Sequence, residues 1–305
     1  MPGKLGGAEM KKLITAILLV VLILVLLPSA AVAKPDKDKP VPATDVELVK
    51  KVTLRGKPVG GGKPVKQAAT GTLGAECQGS RYAIVIGISD YPGTENDLEY
   101  SDDDANDMRD ALVGVYGYNP SDIHLLLNAD ATFTAIRDAI SDLESKVLAG
   151  DEIVFFFSGH GAKGRADDGD KESIDEAIVT HDGYNLVYLW DGQLRSWFEG
   201  FATSRIVFIF DSCLAGGMTD LQASGRVINM ACSESGVSYE GDAWGNGQFT
   251  YYFVDQGMLE GYADKYDSIP DDADVTVEEA FDYAVANCEM QKPVISDSFE
   301  NDLLP

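Results

Sequence analysis

An open, mostly parallel α/β sheet covered by helices on both faces, three layers in αβα order, is the fold class that this 305-residue chain predicts. Its strands read as unbroken apolar runs, RYAIVIGI, EIVFFFS and RIVFIFD, as expected of strands buried on both faces. Stretches of helical period alternate with them, which is the element order of a parallel sheet. Two reactive side chains, His160 and Cys213, each stand just past one of these runs, where parallel strands deliver their residues to the carboxyl edge.

The elements follow in order from Arg81. The first strand, RYAIVIGI, leads to a helix over about Asp102–Val113 and then to the strand IHLLL. A second helix over about Thr132–Leu148 sets Ile136, Ile140, Leu143 and Val147 along its inner face. After EIVFFFS comes a hairpin-like excursion through DEAIVTHD and NLVYLW, a helix over about Asp191–Phe201, and RIVFIFD. RVINMAC, a helix near Phe249–Leu259 and a helix over Val277–Asn287 leading into QKPVIS complete the pattern.

Residues 1–33 stand apart from that pattern. Lys11 and Lys12 precede an apolar block from Leu13 to Leu27, and Pro28 and the small-residue site Ala31-Val32-Ala33 follow, the grammar of a cleaved secretory signal. The block is short for a membrane span, which needs about 20 residues. An exported protein, outside the cell or at its surface, is therefore expected, tied to a membrane only if the segment stays uncleaved. Residues 34–79, with Pro35, Pro40, Pro42, Pro58, Pro64 and the run Gly60-Gly61-Gly62, read as a linker or propeptide, and 80–305 as the main domain.

Charge divides along the same boundaries. Residues 1–33 carry three basic and one acidic side chain, 34–79 nine and five, and the rest twelve and forty-four, or −32 within a chain of net −26. Such a body repels nucleic acid and attracts cationic peptides and divalent ions, although a solvated acidic surface suited to a salty medium explains the charge equally. Four cysteines in an exported chain leave a Cys77 to Cys288 disulfide open, while Cys232 reads as a buried small hydrophobe.

Only three histidines compete for a catalytic role. A thiol is mostly protonated near neutral pH, so a hydrolytic cysteine needs a base, and neighbouring parallel strands lie about 4.8 Å apart, within reach for His160 and Cys213. Gly159 and Gly161 let a substrate backbone approach, and the N–H groups of Gly161 and Cys213 suit an oxyanion hole. The plainer alternative is a turn histidine and a core thiol. His124, within IHLLL, reads as a strand histidine, and His181 as a loop contact.

SGHG and DSC with their preceding strands resemble the caspase-like cysteine peptidases, and YAIVIGISDY, LEYSDDDANDM, IDEAIVTHD and QKPVIS extend the resemblance over residues 81–297. Within that clan the chain is most similar to the metacaspases and prokaryotic orthocaspases; the QACRG context of true caspases is absent. The resemblance implies a monomeric endopeptidase with a Cys213/His160 dyad, acting on protein or peptide substrates with basic residues. It implies an acidic first pocket of Asp104, Ser158 and Asp211, and two carboxylates suit the bidentate pairing of a guanidinium. Asp104 also fits simple capping of its helix.

The same resemblance implies activation by Ca²⁺ held by Asp175, Asp191 and Asp220, with Gly192 where many relatives have another aspartate. The segment DDGDKES, residues 167–173, loosely resembles a calcium loop and reads rather as a solvated excursion. Self-processing is expected at Arg226, where relatives are cut, or at Lys63 or Lys66, with the +4 leader covering the acidic pocket until its removal; an exposed strand-start residue is the plainer reading of Arg226. Two other readings are a legumain-like or gingipain-like peptidase of the same clan and a catalytically silent caspase-like binding module.

Overall fold

Residue alternation along the central strands decides the architecture. In the computed structural model, which describes residues 37–56, 67–169, 172–264 and 274–305, the strands are β1 (Ala43–Val49), β2 (Val52–Leu54), β3 (Arg81–Gly87), β4 (Ile123–Leu127), β5 (Glu152–Ser158), β6 (Gly161–Ala166) and β7 (Asp175–His181). They continue with β8 (Leu186–Trp190), β9 (Ile206–Asp211), β10 (Arg226–Met230), β11 (Tyr239–Gly241), β12 (Asn246–Gly247) and β13 (Val294–Asp297). The main helices are α1 (Ser101–Gly114), α2 (Phe133–Lys146), α3 (Asp191–Phe198) and α4 (Val277–Asn287). All described residues belong to the compact unit Pro35–Pro305.

A six-stranded sheet in the order β13-β10-β9-β5-β3-β4 forms the middle layer, parallel except for β13. Ile84, Ile86, Phe155, Phe157, Phe208 and Phe210 point to one face, against Ile136 and Ile140 of α2 and Trp197 and Phe198 of α3. Their neighbours Ala83, Val85, Val154, Phe156, Val207 and Ile209 point to the other, against Met108 and Leu112 of α1 and Phe281 of α4. This period of two on a sheet buried on both sides is why the strands are apolar throughout, and it makes the predicted three-layer αβα class the observed one.

Two smaller sheets stand at the carboxyl edge. The predicted hairpin, β7 with β8, joins β6 and β1 in an antiparallel sheet, and β12, β11 and β2 form the other. Residues 43–49 and 52–54, expected within a linker, thus supply a strand to each. Pro and Gly dominate the rest of that segment, and strands added at sheet edges take their order from their partners rather than from a periodicity of their own. The helix expected near Phe249–Leu259 is a short helical turn at Gln248–Thr250 that widens into a π-helical stretch, Tyr251–Leu259.

Two expectations are corrected here. Cys77 and Cys288 are free thiols: Cys77 faces the Gly79, Ser80 and Gly150 carbonyls, and buried Cys288 faces the Gln248 carbonyl. Arg226 is buried at the start of β10, its guanidinium bonded to the Leu221 and Phe198 carbonyls and over the Phe208 ring, so its peptide bond is inside the sheet and closed to a peptidase in this fold. Lys63, Lys66 and the signal segment 1–33 lie outside the described residues.

Gly87 ties the sheet to the helix that carries Asp104. A Cβ at this position would come within 2.2 Å of the Ser101 carbonyl oxygen and 2.7 Å of Ala105 Cβ. Gly87→Ala is therefore expected to destabilise the protein by about 1–3 kcal/mol through overpacking, measured by urea unfolding; a change within about 0.5 kcal/mol would mean that α1 shifts freely.

Candidate active site

Register brings the two reactive residues level. Ser158 at the end of β5 pairs with Asp211 at the end of β9, so His160 and Cys213, each two residues further on, emerge side by side. The chain bends at once after Cys213, where Leu214 adopts the left-handed conformation at φ 61° and its N–H bonds the Gly236 carbonyl. Gly161 lies directly against the Cys213 backbone, and a Cβ there would meet the Cys213 carbonyl oxygen at 2.0 Å.

His160 is held on every side. Its N–H donates to the Tyr91 hydroxyl at 3.0 Å, its ring stacks on that of Tyr91 at 4.9 Å, and the Tyr91 hydroxyl donates in turn to the Val179 carbonyl. Nε2 lies 2.8 Å from the Asn96 carbonyl, which can only accept, so Nε2 carries the proton. Nδ1 is left with its lone pair and accepts the Lys51 N–H at 3.1 Å. Burial above all, with the charges of Lys51 and Lys50, pulls the imidazole down to about 4.

Cys213 Sγ accepts the Ser238 N–H at 3.2 Å and lies 3.9 Å from the Ser238 carbonyl. Burial pushes this thiol up to about 11, against the opposing influence of the Ser238 N–H and the Lys51 charge. Base and thiol are both neutral near pH 7 in this arrangement, and each is engaged with its own partner. Cys232, expected as a buried hydrophobe, sits with its Sγ 3.3 Å from the Ser212 carbonyl.

Asp104, Ser158 and Asp211, the three expected pocket residues, converge on one atom, the ammonium of Lys51. Lys51 Nζ lies 3.1 Å from Asp211, 3.4 Å from Asp104 and 2.9 Å from Ser158 Oγ, with all the charged side chains fully buried. Ser158 Oγ donates to Asp104 at 2.6 Å, and the Gly247 N–H donates to the other oxygen of that carboxylate. Asp211 is further held by Ser238 Oγ and by the N–H and hydroxyl of Thr250. Burial works against charge on Lys51, yet Asp211, Asp104 and Glu240 outweigh it and raise its pKa. Burial raises Asp104 to about 7 despite the lysine.

The leader reaches this pocket between its two strands. β1 runs antiparallel to β6, with Val49 opposite Gly161, and β2 runs parallel to β11, with Val52 opposite Tyr239. Lys51 is not among the residues that the sequence singles out, nor are Tyr91, the Asn96 carbonyl and Ser238, although the three groups around its ammonium are. The opposed charges of leader and body were the one signal that pointed to such a contact.

A second acidic cluster lies behind β6. Asp168, Asp175 and Asp191 are buried and each offers one carboxylate oxygen within 4.8 Å of the others, and Glu172, Asp191 and Asp220 form an overlapping group. Asp191 joins both, and burial followed by the Asp168 charge pushes it up to about 10. Its Oδ2 has no hydrogen-bond partner among the described residues, an arrangement that fits a hard cation. Asp220 also pairs with Arg195 at 2.8 Å. Within 167–173, Asp167, Gly169, Glu172 and Ser173 are exposed as expected and 170–171 lie outside the described residues, but Asp168 is buried, and a side chain at Gly192 would meet its carboxylate at 2.7 Å, so Gly192 makes room for it. Of the other histidines, His124 pairs with Asp142 on β4, and His181 is buried with Nε2 on the Asn128 carbonyl.

Comparison with known proteins shows the family and the fold. The caspase domain family model matches residues 80–303. Metacaspase-7 of Arabidopsis thaliana is 32% identical over 149 residues, 46% of this chain and 36% of that protein, and Metacaspase-1 of Schizosaccharomyces pombe is 32% identical over 154 residues, 48% and 36% respectively. The chain thus aligns with only about a third of the length of these relatives. A solved structure of a Geobacter sulfurreducens protein from a structural-genomics programme superposes with a TM-score of 0.52 at 18% identity, covering 72% of this chain and 93% of that one, a likeness of fold.

A thiol raised to about 11 is protonated at neutral pH and gains thiolate tenfold per pH unit as that value is approached. Alkylation of Cys213 by iodoacetamide in the intact chain, followed peptide by peptide in a mass spectrometer, is expected to be slow at pH 7 and to rise about tenfold per unit between pH 8 and 10. A rate that is flat over that range would contradict the buried, neutral thiol.

Proposed function

The chain belongs to the caspase domain family, and from that premise we propose that it is a metacaspase-type cysteine endopeptidase that hydrolyses peptide bonds after Arg or Lys. The observation that carries the specificity is the lysine ammonium seated against Asp104, Asp211 and Ser158. An aspartate or asparagine side chain brought to the same place would meet two carboxylates and leave them uncompensated, which costs several kcal/mol.

His160 Nδ1 takes the proton of Cys213, and Sγ bonds to the carbonyl carbon of the residue in the pocket while the N–H groups of Gly161 and Cys213 receive the developing oxyanion. As the C–N bond breaks, the same proton passes to the departing amine. Water, deprotonated by His160, then cleaves the thioester and restores the thiol. Tyr91 and the Asn96 carbonyl hold the imidazole in the tautomer that this sequence needs.

Calcium is the cation whose chemistry suits Asp168, Asp175 and Asp191, with Glu172 and Asp220 beside them, because hard carboxylate oxygens are its preferred ligands. It would supply positive charge where burial makes these carboxylates costly to ionise. The cluster adjoins the leader: the Asp167 N–H bonds the Pro42 carbonyl at 3.3 Å and Gln193 Nε2 the Lys39 carbonyl at 2.8 Å. That adjacency supports a zymogen in which residues 43–55 block the cleft until they are displaced. Export, followed by action on protein substrates without nucleic acid, agrees with the signal grammar and the acidic body; a monomer is the working unit.

A panel of peptides ending in Arg, Lys, Asn or Asp, assayed with and without Ca²⁺, tests the proposal. Cleavage after Arg and Lys is expected to exceed the others by about 10³-fold or more in kcat/KM, to fall by at least about 10²-fold in Asp211→Asn, and to vanish in Cys213→Ala. Ca²⁺ is expected to raise the rate, and Asp191→Asn to remove that response. Equal cleavage after Asn or Asp would overturn the specificity, and no cleavage of any peptide once the leader has been removed would overturn the enzyme.

A further inference from the structure

We infer that residues 43–55 lie in the cleft with their chain direction opposite to that of a substrate, so that Lys51 fills the cation pocket while the bond after it is not hydrolysed. The inference rests on the reading of His160 and Cys213 as a hydrolytic pair. In that chemistry the pocket residue supplies the carbonyl attacked by sulfur, and the amine expelled belongs to the residue that follows it. The base must therefore face the nitrogen after the pocket residue. Here it faces the nitrogen before: His160 Nδ1 is bonded at 3.1 Å by the N–H of Lys51 itself.

The nitrogen that would have to leave, that of Val52, is engaged elsewhere. Its N–H donates to the Ser238 carbonyl at 3.0 Å, and the Ser238 N–H in turn bonds Cys213 Sγ. Strand directions agree with these contacts. The part of the segment upstream of Lys51 runs along β6, which begins at the residue after His160, and so occupies the histidine side, where the departing amine of a substrate must lie. The downstream part runs along β11 on the Ser238 side. A substrate, with its acyl half where Val52–Leu54 now lie, would run antiparallel to β11; this segment runs parallel.

Anchors on both sides keep the segment from turning round. Thr53 Oγ1 donates to Glu240 at 2.7 Å, Arg55 pairs with Glu99 and Asp242, and Lys50 Nζ donates to the Glu95 carbonyl. Lys51 is thus a recognition residue without being a cleavage site, and the segment is an inhibitor that its own peptidase spares.

Two measurements on the full chain test this separately from the peptidase reading. First, a preparation turning over an Arg or Lys reporter peptide is sampled by mass spectrometry for a new amino terminus at Val52. The Lys51–Val52 bond is expected to survive at least about 10³ reporter turnovers, and Lys51→Ala to raise reporter hydrolysis more than about tenfold by loosening the block. Cleavage at Lys51 at a rate near that of the reporter would overturn the reversed direction and leave the peptidase standing. Second, in ¹⁵N-labelled Cys213→Ala, which needs no activity, scalar coupling across the N–H···N hydrogen bond is expected to link His160 Nδ1 to the Lys51 nitrogen. Coupling to Val52 instead, or none to Lys51, would overturn the inference even in a protein with no peptidase activity at all.

Discussion

Asp104 and Asp211 reach the carboxyl edge of the sheet from different elements, α1 and β9, and both are fully buried, so the cost of placing two carboxylates in one dry pocket shapes everything around them. Hydroxyls of Ser158, Ser238 and Thr250 and N–H groups of Gly247 and Thr250 are all spent on these two side chains. A cation must complete the set. In this molecule the chain supplies its own, and the path that the leader takes between β6 and β11 follows from where that one ammonium has to be.

That requirement separates two things that a peptidase normally joins, recognition and hydrolysis. The pocket senses a charge at the end of a long flexible side chain and is largely indifferent to which way the backbone passes over it. The dyad is not indifferent, because it must find a carbonyl on one side and a nitrogen on the other. A lysine borne on a reversed strand satisfies the first and fails the second. The neutral states of His160 and Cys213 agree with this quiet arrangement, since burial under the leader disfavours both charged forms.

Much of this was legible in the sequence. Alternating burial on a two-sided sheet made the strands continuous apolar runs, and that same continuity marked His160 and Cys213 as residues placed just beyond a strand end. Asp104, Ser158 and Asp211 were legible through resemblance, and the structure gathers them on one ammonium. What was not legible depends on contacts distant in sequence. Residues 43–54 have no strand pattern of their own and become strands only by pairing with β6 and β11. Asp168 reads as one of several exposed acids until the fold places it in the space left by Gly192. Arg226 looks like a surface residue because its local neighbours do not reveal that the Leu221 and Phe198 carbonyls will enclose its guanidinium.

The way the leader is fastened has one further consequence. Beyond residue 66 the chain is pinned to the domain by two carboxylates, Asp282 receiving the N–H groups of Ala68 and Ala69 and Asp302 those of Thr70, Gly71 and Thr72. A blocking strand joined to its domain in this way competes for the cleft within one molecule. The fraction of molecules with an open cleft is then independent of how dilute the protein is. Once the chain between Gly56 and Gln67 is broken, the same strand becomes a separate molecule whose hold weakens with every dilution.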